Sequence, residues 1–319
     1  MKTIPTMERR TLGKNGPELS VIGFGTWAIG GPWEFGWGPV KDEESIRAIR
    51  RGIDLGINWI DTAPVYGLGH SEEVVARALE GKRQDIFLAT KCGMVWDDSK
   101  RVKIHASPAG IKREIAMSLR RLKTDYIDLY QIHWPDPEIP VEESWGAMAE
   151  LQDEGKVRYI GVCNYDAALL KKCNKIAQVQ SLQPPYSLLR RQIESDILPY
   201  CLEGGIGGVA YSPMQSGLLS GTFDINRIAA DDWRRNNKYY QEPYLSRALK
   251  FVDDLKPIAQ ARNASAGQLA IAWVLRHPAV TSAIVGARSE AQVEEITGAP
   301  RCILSNEDCA KIELLSQKF

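Results

Sequence analysis

Short apolar runs alternate with amphipathic stretches along most of this 319-residue chain. The amphipathic stretches follow a helical period; Ser107 and Pro108, for example, are typical of a helix start and precede an apolar stripe that begins at Ile111. The apolar runs have the length and β-prone composition of strands, and eight of them occur, at residues 21–25, 57–61, 85–91, 126–133, 157–163, 179–182, 206–212 and 281–285. The pattern therefore predicts strands and helices in alternation.

Eight strands separated by helices favour a closed parallel barrel, because right-handed crossovers bring successive strands side by side. We therefore predict an α/β fold, a (β/α)8 TIM barrel that comprises residues 1–319 as a single domain. An open doubly wound sheet is the competing arrangement, but Gly25 is followed by Thr26 and Trp27 and not by a glycine-rich turn that opens a helix.

Two additions to the barrel are predicted at its ends. Asn15-Gly16 lies between two short β-prone segments, which is typical of a β-hairpin, and we expect this hairpin to cap the barrel at the N-terminal end of the chain. Ser305 with Asp308 three residues later is typical of a capped helix start, which predicts extra C-terminal helices beyond the eighth strand.

Polar residues close several of the early strands. Asp61, Lys91 and His133 end the second, third and fourth strands, and Tyr66 follows five residues after Asp61. Since the C-terminal ends of barrel strands form the face that carries active sites, these four side chains are expected to converge. An ammonium group beside a phenol stabilises the phenolate, so we expect Lys91 to lower the pKa of Tyr66 and Asp61 to keep Lys91 charged. His133 would hydrogen-bond the same substrate oxygen.

Composition removes several classes of function. The 40 Lys and Arg residues balance the 40 Asp and Glu residues, so charge gives no reason to expect nucleic acid or an anionic membrane as a partner. No apolar run approaches the length that spans a bilayer, and six dispersed cysteines without a C-x-x-C pair favour reduced thiols in the cytoplasm. We expect a cytoplasmic protein with no metal site, and the oligomeric state is left open.

The motifs around these residues resemble the aldo-keto reductase superfamily over nearly the whole chain. The matching segments are VIGFGTW at 21–27, DTAPVYG at 61–67, ATK at 89–91, DLYQIH at 128–133 and GVCN at 161–164. In that family the four residues that correspond to Asp61, Tyr66, Lys91 and His133 form the catalytic tetrad. The resemblance implies reversible NADPH-dependent reduction of aldehydes or ketones to alcohols, with a hydride from C4 of the nicotinamide and a proton from Tyr66.

The resemblance also implies a set of cofactor contacts. Tyr211 would stack on the nicotinamide ring, and Arg288 would pair with a 2′-phosphate, which favours NADPH, with NADH less favoured. The complete set is Thr26, Trp27, Asp61, Asn164, Gln183, Tyr211, Ser212, Pro213, Ser216, Gly217, Leu218, Gly286, Arg288, Gln292 and Glu295. The residues expected to wall the pocket for a small carbonyl substrate are Trp33, Trp96 and Trp134.

Two long loops and two other functions complete the sequence-based expectations. Residues 30–38 and 213–243 form long connections at the face expected to carry the site. Arg234 and Arg235 in the second loop would either bind an anionic substrate or face water, and we favour water. One alternative function is a cofactor-bound regulatory subunit with slow turnover. Another is a hydrolase that uses the acidic pairs 97–98 or 142–143, which is disfavoured because adjacent acids do not face each other across a bond.

Overall fold

The predicted strands pair in parallel and close into a barrel in the computed structural model, which describes residues 7–317. Strands β1 to β12 are, in chain order, Arg9–Thr11, Glu18–Ser20, Ile22–Gly25, Trp59–Asp61, Phe87–Cys92, Met94–Trp96, Val102–Ile104, Ile127–Ile132, Val157–Cys163, Ser181–Gln183, Gly207–Tyr211 and Val280–Gly286. The barrel order is β3, β4, β5, β8, β9, β10, β11, β12, and β12 pairs with β3. The predicted (β/α)8 barrel is confirmed.

Helices connect the barrel strands. Helices α1 to α10 are, in chain order, Asp42–Asp54, His70–Ala78, Pro108–Leu122, Val141–Asp153, Ala167–Cys173, Ile197–Gly204, Tyr244–Ala261, Ala266–Leu275, Glu290–Thr297 and Asn306–Ser316. As predicted, the Ser107 hydroxyl caps α3, and Ser305 with Asp308 forms a capping box at the start of α10. Among residues 7–317, no helix is both long enough and apolar enough to cross a bilayer.

The hairpin formed by β1 and β2 closes the end of the barrel where the strands begin. Leu12 and Leu19 from this hairpin are fully buried and pack with Trp59 of β4 in the barrel interior. The indole N–H of Trp59 donates to the Ser20 carbonyl at 3.1 Å and lies 3.0 Å from the Ser282 hydroxyl. The predicted hairpin cap is therefore confirmed, and this lower end of the barrel is filled.

The character of the inward side chains changes along each strand. Side chains of a strand alternate between its two faces, so inward positions are two residues apart. Three strands carry an apolar inward residue followed two positions later by a polar one: Trp59 and Asp61, Ala89 and Lys91, Leu129 and Gln131. The barrel thus has an apolar lower layer and a polar layer at its upper end.

The long loop 213–243 differs from the sequence-based expectation at its two arginines. Arg234 is only 8% exposed, and its guanidinium lies 2.6 Å from the Asp232 carboxylate. Arg235 is half-buried and donates to the carbonyls of Ile225, Ile228 and Ala229. The expectation that both side chains face water is therefore wrong, because the loop's own acidic and carbonyl groups bind them.

Substitution of Gly23 by alanine is expected to destabilise the barrel. A Cβ atom at Gly23 would lie 2.2 Å from the Trp59 ring, and overpacking of this kind costs about 1–3 kcal/mol. Gly146 in α4 is the matched control, since a Cβ there meets nothing within 4 Å and alanine favours the helix by about 0.5–1 kcal/mol. Urea unfolding should show a lower midpoint for Gly23→Ala and a higher one for Gly146→Ala. Equal midpoints would contradict the packing argument.

Candidate active site

Lys91 lies at the centre of the polar layer and is fully buried. Its Nζ atom lies 2.6 Å from Asp61 Oδ1, 2.9 Å from the Thr62 carbonyl oxygen and 3.3 Å from the Tyr66 hydroxyl. An ammonium group has three hydrogens to donate, and each of them has an acceptor here. The ammonium is therefore held in one position, directed at the phenol.

The second oxygen of Asp61 is bound by two amide side chains. Gln183 Nε2 lies 2.8 Å and Gln131 Nε2 3.4 Å from Asp61 Oδ2. Gly161 of β9 packs closely on β10, since a Cβ there would lie 2.2 Å from the Ser181 hydroxyl, whereas its distance of 3.4 Å from Gln131 Cγ would be an ordinary contact. Sequence reasoning missed Gln131, although its inward position two residues before His133 was a usable signal.

Two glycines bring Tyr66 to the lysine. Gly30 and Gly67 pack against each other so closely that a Cβ on Gly67 would lie 1.8 Å from the Gly30 carbonyl oxygen, and Gly67 has a φ of +65°. This close approach fixes the loop that carries Tyr66. The rings of Tyr66 and His133 then lie 5.8 Å apart, edge to face. The four residues proposed from the sequence as a tetrad are thus assembled around one point.

The electrostatic state of the cluster differs in one respect from the expectation. Burial raises the pKa of Tyr66 above its ordinary value by more than Lys91 lowers it, so the predicted net lowering is wrong. Burial lowers the pKa of Lys91, but Asp61 and the other neighbouring groups together raise it by more, so the net shift is upward and the ammonium remains charged. Burial and the Lys91 charge hold the pKa of His133 well below its ordinary value. At neutral pH the cluster holds a neutral phenol, an ammonium and a neutral imidazole.

Asn164 and Tyr211 continue the rim beside His133. The Asn164 amide donates to the His133 carbonyl at 3.1 Å and accepts from the Tyr211 hydroxyl at 2.9 Å. Burial raises the pKa of Tyr211 to about 12, although Arg190, which was not predicted as a site residue, lowers it in part. Tyr211 is half-buried and remains neutral, and its hydroxyl sets the direction of the Asn164 amide.

Other predicted cofactor residues support the rim from below. The Thr26 hydroxyl is fully buried and donates to the Asp61 carbonyl at 3.0 Å, so it does not reach the open rim. Gln183 is 3% exposed, and its amide nitrogen is directed at Asp61. Pro213 and Leu218 are buried at the two ends of the turn after β11. Thr26 and Gln183 thus hold Asp61 in place, which sequence spacing alone did not reveal.

Three tryptophans, Trp27, Trp37 and Trp233, form an aromatic bridge between the loops 30–38 and 213–243. The Trp27 ring lies 5.5 Å from the Trp37 ring and 5.4 Å from the Trp233 ring, and its N–H donates to the Phe35 carbonyl at 2.9 Å. Rings at these distances attract each other through offset and edge-to-face contacts. The bridge connects two loops that are far apart in sequence.

The backbone after β11 makes a turn of unusual conformation, residues 212–217. Ser212, Gln215 and Ser216 have φ values of 54°, 46° and 48°, in the left-handed region that side chains disfavour. Gly217 follows with a φ of 94°. Left-handed residues that occur close together shape a concave backbone, and such concavities bind anions through their N–H groups. Within the 212–217 turn the N–H groups of Gln215 and Gly217 donate to the carbonyls of Ser212 and Met214, so these two donors are already used.

The start of α9 offers a second place for an anion. Arg288 is exposed, and its Nη1 atom donates to the Trp37 carbonyl at 3.2 Å. Gln292 Oε1 accepts from the Arg288 backbone N–H at 2.8 Å, while Ser289 caps the helix. Gly286 is exposed beside them, whereas the Glu295 carboxylate is bound by the Ser265 hydroxyl. An exposed guanidinium next to a helix start suits a phosphate group.

The three predicted pocket tryptophans lie in different settings. The Trp33 ring lies 6.4 Å from that of Tyr66, and its buried N–H has no partner among the described residues. Trp134 follows His133 and is 37% exposed, and Trp96 lies half-buried on β6. Of these three, Trp33 is the one for which the structure records a ring contact with Tyr66.

The acidic pairs considered for a hydrolase do not form opposed carboxylates. Asp97 binds Ser99 and Arg101 within a turn, and Glu142 pairs with Lys172 at 3.3 Å. Among residues 7–317, no group of three His, Cys, Asp or Glu side chains is arranged to hold a metal ion.

Comparison with known proteins identifies the relatives of this chain. A family model described as the aldo/keto reductase family matches residues 21–317. The aldo-keto reductase YhdN of Bacillus subtilis is 40% identical over 95% of this chain and 91% of its own. The NADH-specific methylglyoxal reductase of Escherichia coli is 33% identical over 98% and 99% of the two chains.

A solved structure is similar over nearly the whole chain. The glycerol dehydrogenase AKR11B4 from Gluconobacter oxydans has a TM-score of 0.89 and 37% sequence identity, with 97% of this chain and 95% of that chain covered. Fold and sequence therefore point to the same group of proteins.

His133 is expected to stay neutral where a free imidazole titrates, because burial and Lys91 lower its pKa. With four histidines in the chain, the His133 ring signals can be assigned in 15N-labelled protein by their loss in His133→Asn. They should not shift between about pH 8 and about pH 5.5. The pKa of His133 is lower in the folded protein than in the unfolded protein. Protonation of the unfolded state should therefore lower the free energy of unfolding as pH falls below about 6.5. A midpoint near the ordinary value would contradict the predicted electrostatics.

Proposed function

The chain belongs to the aldo/keto reductase family of nicotinamide-dependent oxidoreductases, and we propose that it reduces aldehyde or ketone carbonyls reversibly with NADPH. The observation that carries this proposal is the position of the Lys91 ammonium, 3.3 Å from the Tyr66 hydroxyl and 2.6 Å from Asp61. Carbonyl reduction needs a proton at the substrate oxygen, and Tyr66 is the group in this cluster that holds one to give.

Tyr66 acts as the proton donor in this proposal. Its raised pKa keeps the proton on the phenol until negative charge develops on the substrate oxygen. The Lys91 charge then stabilises the phenolate that is left, because the ammonium lies within hydrogen-bonding distance of the Tyr66 oxygen. Asp61 keeps Lys91 charged and in place, and the neutral His133 orients the carbonyl with a ring N–H.

The rim residues would hold the dinucleotide. A bound nicotinamide supplies a hydride to the carbonyl carbon. Asn164 and Tyr211 lie beside His133 and would contact the nicotinamide end, since the amide is fixed between the His133 carbonyl and the Tyr211 hydroxyl. The turn 212–217 would take the diphosphate, and the start of α9 at Arg288 would take the adenosine end.

The choice of NADPH rests on Arg288. Its exposed guanidinium uses one nitrogen on the Trp37 carbonyl and has further N–H groups to offer a 2′-phosphate. One relative carries the name NADH-specific methylglyoxal reductase, so membership of the family does not fix this choice. A regulatory subunit is not favoured, because the relatives carry the names of reductases and a dehydrogenase.

Replacement of Tyr66 by phenylalanine is expected to remove most turnover and leave dinucleotide binding intact. Loss of a general acid costs about 10²- to 10⁴-fold in rate. The rate is measured from NADPH absorbance with a simple aldehyde, and binding from quenching of the nine tryptophans. Tyr159→Phe is the control, because that ring packs on Phe87 away from the tetrad. Undiminished rates in Tyr66→Phe would refute the role of Tyr66.

Replacement of Arg288 by alanine is expected to weaken NADPH binding and leave NADH binding unchanged. A charge-assisted hydrogen bond to phosphate is worth about 1.5–3 kcal/mol, so the Kd for NADPH should rise about 10- to 100-fold. Arg47→Ala is the control, since Arg47 is also exposed and lies 3.8 Å from Glu290 at the start of the same helix. An equal loss for both dinucleotides would contradict a 2′-phosphate contact.

A further inference from the structure

The buried Arg234 is bound by an acidic residue and a carbonyl of its own loop. Its Nε and Nη2 atoms donate to the two oxygens of Asp232 at 2.9 and 2.6 Å. The remaining Nη1 atom donates to the Ser216 carbonyl at 3.3 Å. One face of the guanidinium lies over the Trp37 ring, 4.4 Å from its centroid. These bonds use three of the five N–H groups of Arg234, and 8% of the residue is exposed.

A second side chain from the same loop holds the neighbouring peptide. The Tyr240 hydroxyl donates to the Gln215 carbonyl at 2.7 Å, and Tyr240 is 3% exposed. Gln215 and Ser216 are the two consecutive residues other than glycine that have a positive φ in the 212–217 turn. Both of their carbonyls are therefore bound by side chains that lie 25 and 18 residues further along the chain.

These two contacts offset the cost of the turn. A residue other than glycine is strained in the left-handed region and persists there where its surroundings enforce it. In a trans peptide the C=O and N–H groups point in opposite directions, so a bond to the Gln215 carbonyl also sets the direction of the Ser216 N–H. Tyr240 thus fixes the side of the turn on which the Ser216 N–H lies. Arg234 holds the next peptide, whose Gly217 N–H donates to the Met214 carbonyl at 3.2 Å within the turn.

We propose that Arg234 is a positioning residue that keeps the 212–217 turn in the conformation that binds the diphosphate of the dinucleotide. The inference rests on the proposed function, in which this turn meets the cofactor. Asp232 takes part as the anchor of the guanidinium, and its second task is to cap the short helix that begins at Trp233. Arg234 acts through the backbone of Ser216 and not through its own charge.

If Arg234 acted through its charge alone, the substitution Asp232→Asn would change diphosphate binding in the opposite direction. Asp232→Asn keeps the helix cap, because asparagine caps as well as aspartate does, but it removes the negative charge and the bidentate anchor. If the arginine attracted phosphate by its charge, loss of the neighbouring acid would tighten binding. If the arginine positions the turn, loss of its anchor weakens binding. The sign of the change separates the two.

The experiment measures ligand binding by calorimetry with three probes. ADP-ribose and its 2′-phosphate contain the diphosphate, whereas 2′-AMP lacks it. Arg234→Met and Tyr240→Phe are expected to raise the Kd of both diphosphate probes about tenfold and to leave that of 2′-AMP within about twofold. Asp232→Asn should also raise the Kd of the two diphosphate probes, as Arg234→Met does. Arg234→Lys should recover part of the affinity, because lysine can still donate to the Ser216 carbonyl.

Arg235→Met is the matched control, since Arg235 binds carbonyls of the same loop but not the 212–217 turn. An equal loss in Arg235→Met would overturn the proposal in favour of general loosening of the loop. A higher Kd for 2′-AMP would overturn the proposal, because the substitutions would then act on Arg288 through Trp37. Tyr240→Phe deletes one hydroxyl and tests the turn even if Arg234→Met does not fold. Wild-type protein that binds neither diphosphate probe would refute the proposed function instead.

Discussion

The buried pair of Lys91 and Asp61 is the interaction on which the upper end of the barrel depends. Two charges removed from water are stable only when their remaining hydrogen-bonding groups are satisfied. The ammonium therefore donates to the Thr62 carbonyl and the Tyr66 hydroxyl, and the carboxylate accepts from the amides of Gln131 and Gln183. One ion pair thus links β4, β5, β8 and β10, and it leaves a neutral phenol against a fixed positive charge.

The sequence predicts much of this arrangement for a topological reason. When all strands of a barrel are parallel, their last residues meet at one edge, so Asp61, Lys91 and His133 converge whatever the details of the helices. The eight apolar runs are short and well separated, and each corresponds to a strand of the barrel. The same pattern does not predict the path of the loop that carries Tyr66. The close contact of Gly30 with Gly67 explains why this tyrosine reaches Lys91.

Other features depend on a balance of electrostatic effects or on tertiary contacts, which the order of residues along the chain does not show. The direction in which the pKa of Tyr66 shifts depends on burial, which raises it, and on the charge of Lys91, which lowers it. Only the structure gives the extent of burial. The inward position of Gln131 follows from the alternation along its strand, but its contact with Asp61 is visible only in the structure. Arg234 and Arg235 are adjacent and look alike, yet one binds Asp232 and Ser216 and the other binds three carbonyls.

The alternation of apolar and polar layers within one strand has a consequence for folding fidelity. If β5 slipped by one residue along its neighbours, every side chain of that strand would change face. Lys91 would then leave the interior and point at the surrounding helices, while Asp61 would keep a buried charge with no counterion. Such a misaligned barrel carries a large penalty, so the residues proposed to perform the chemistry also enforce correct strand alignment.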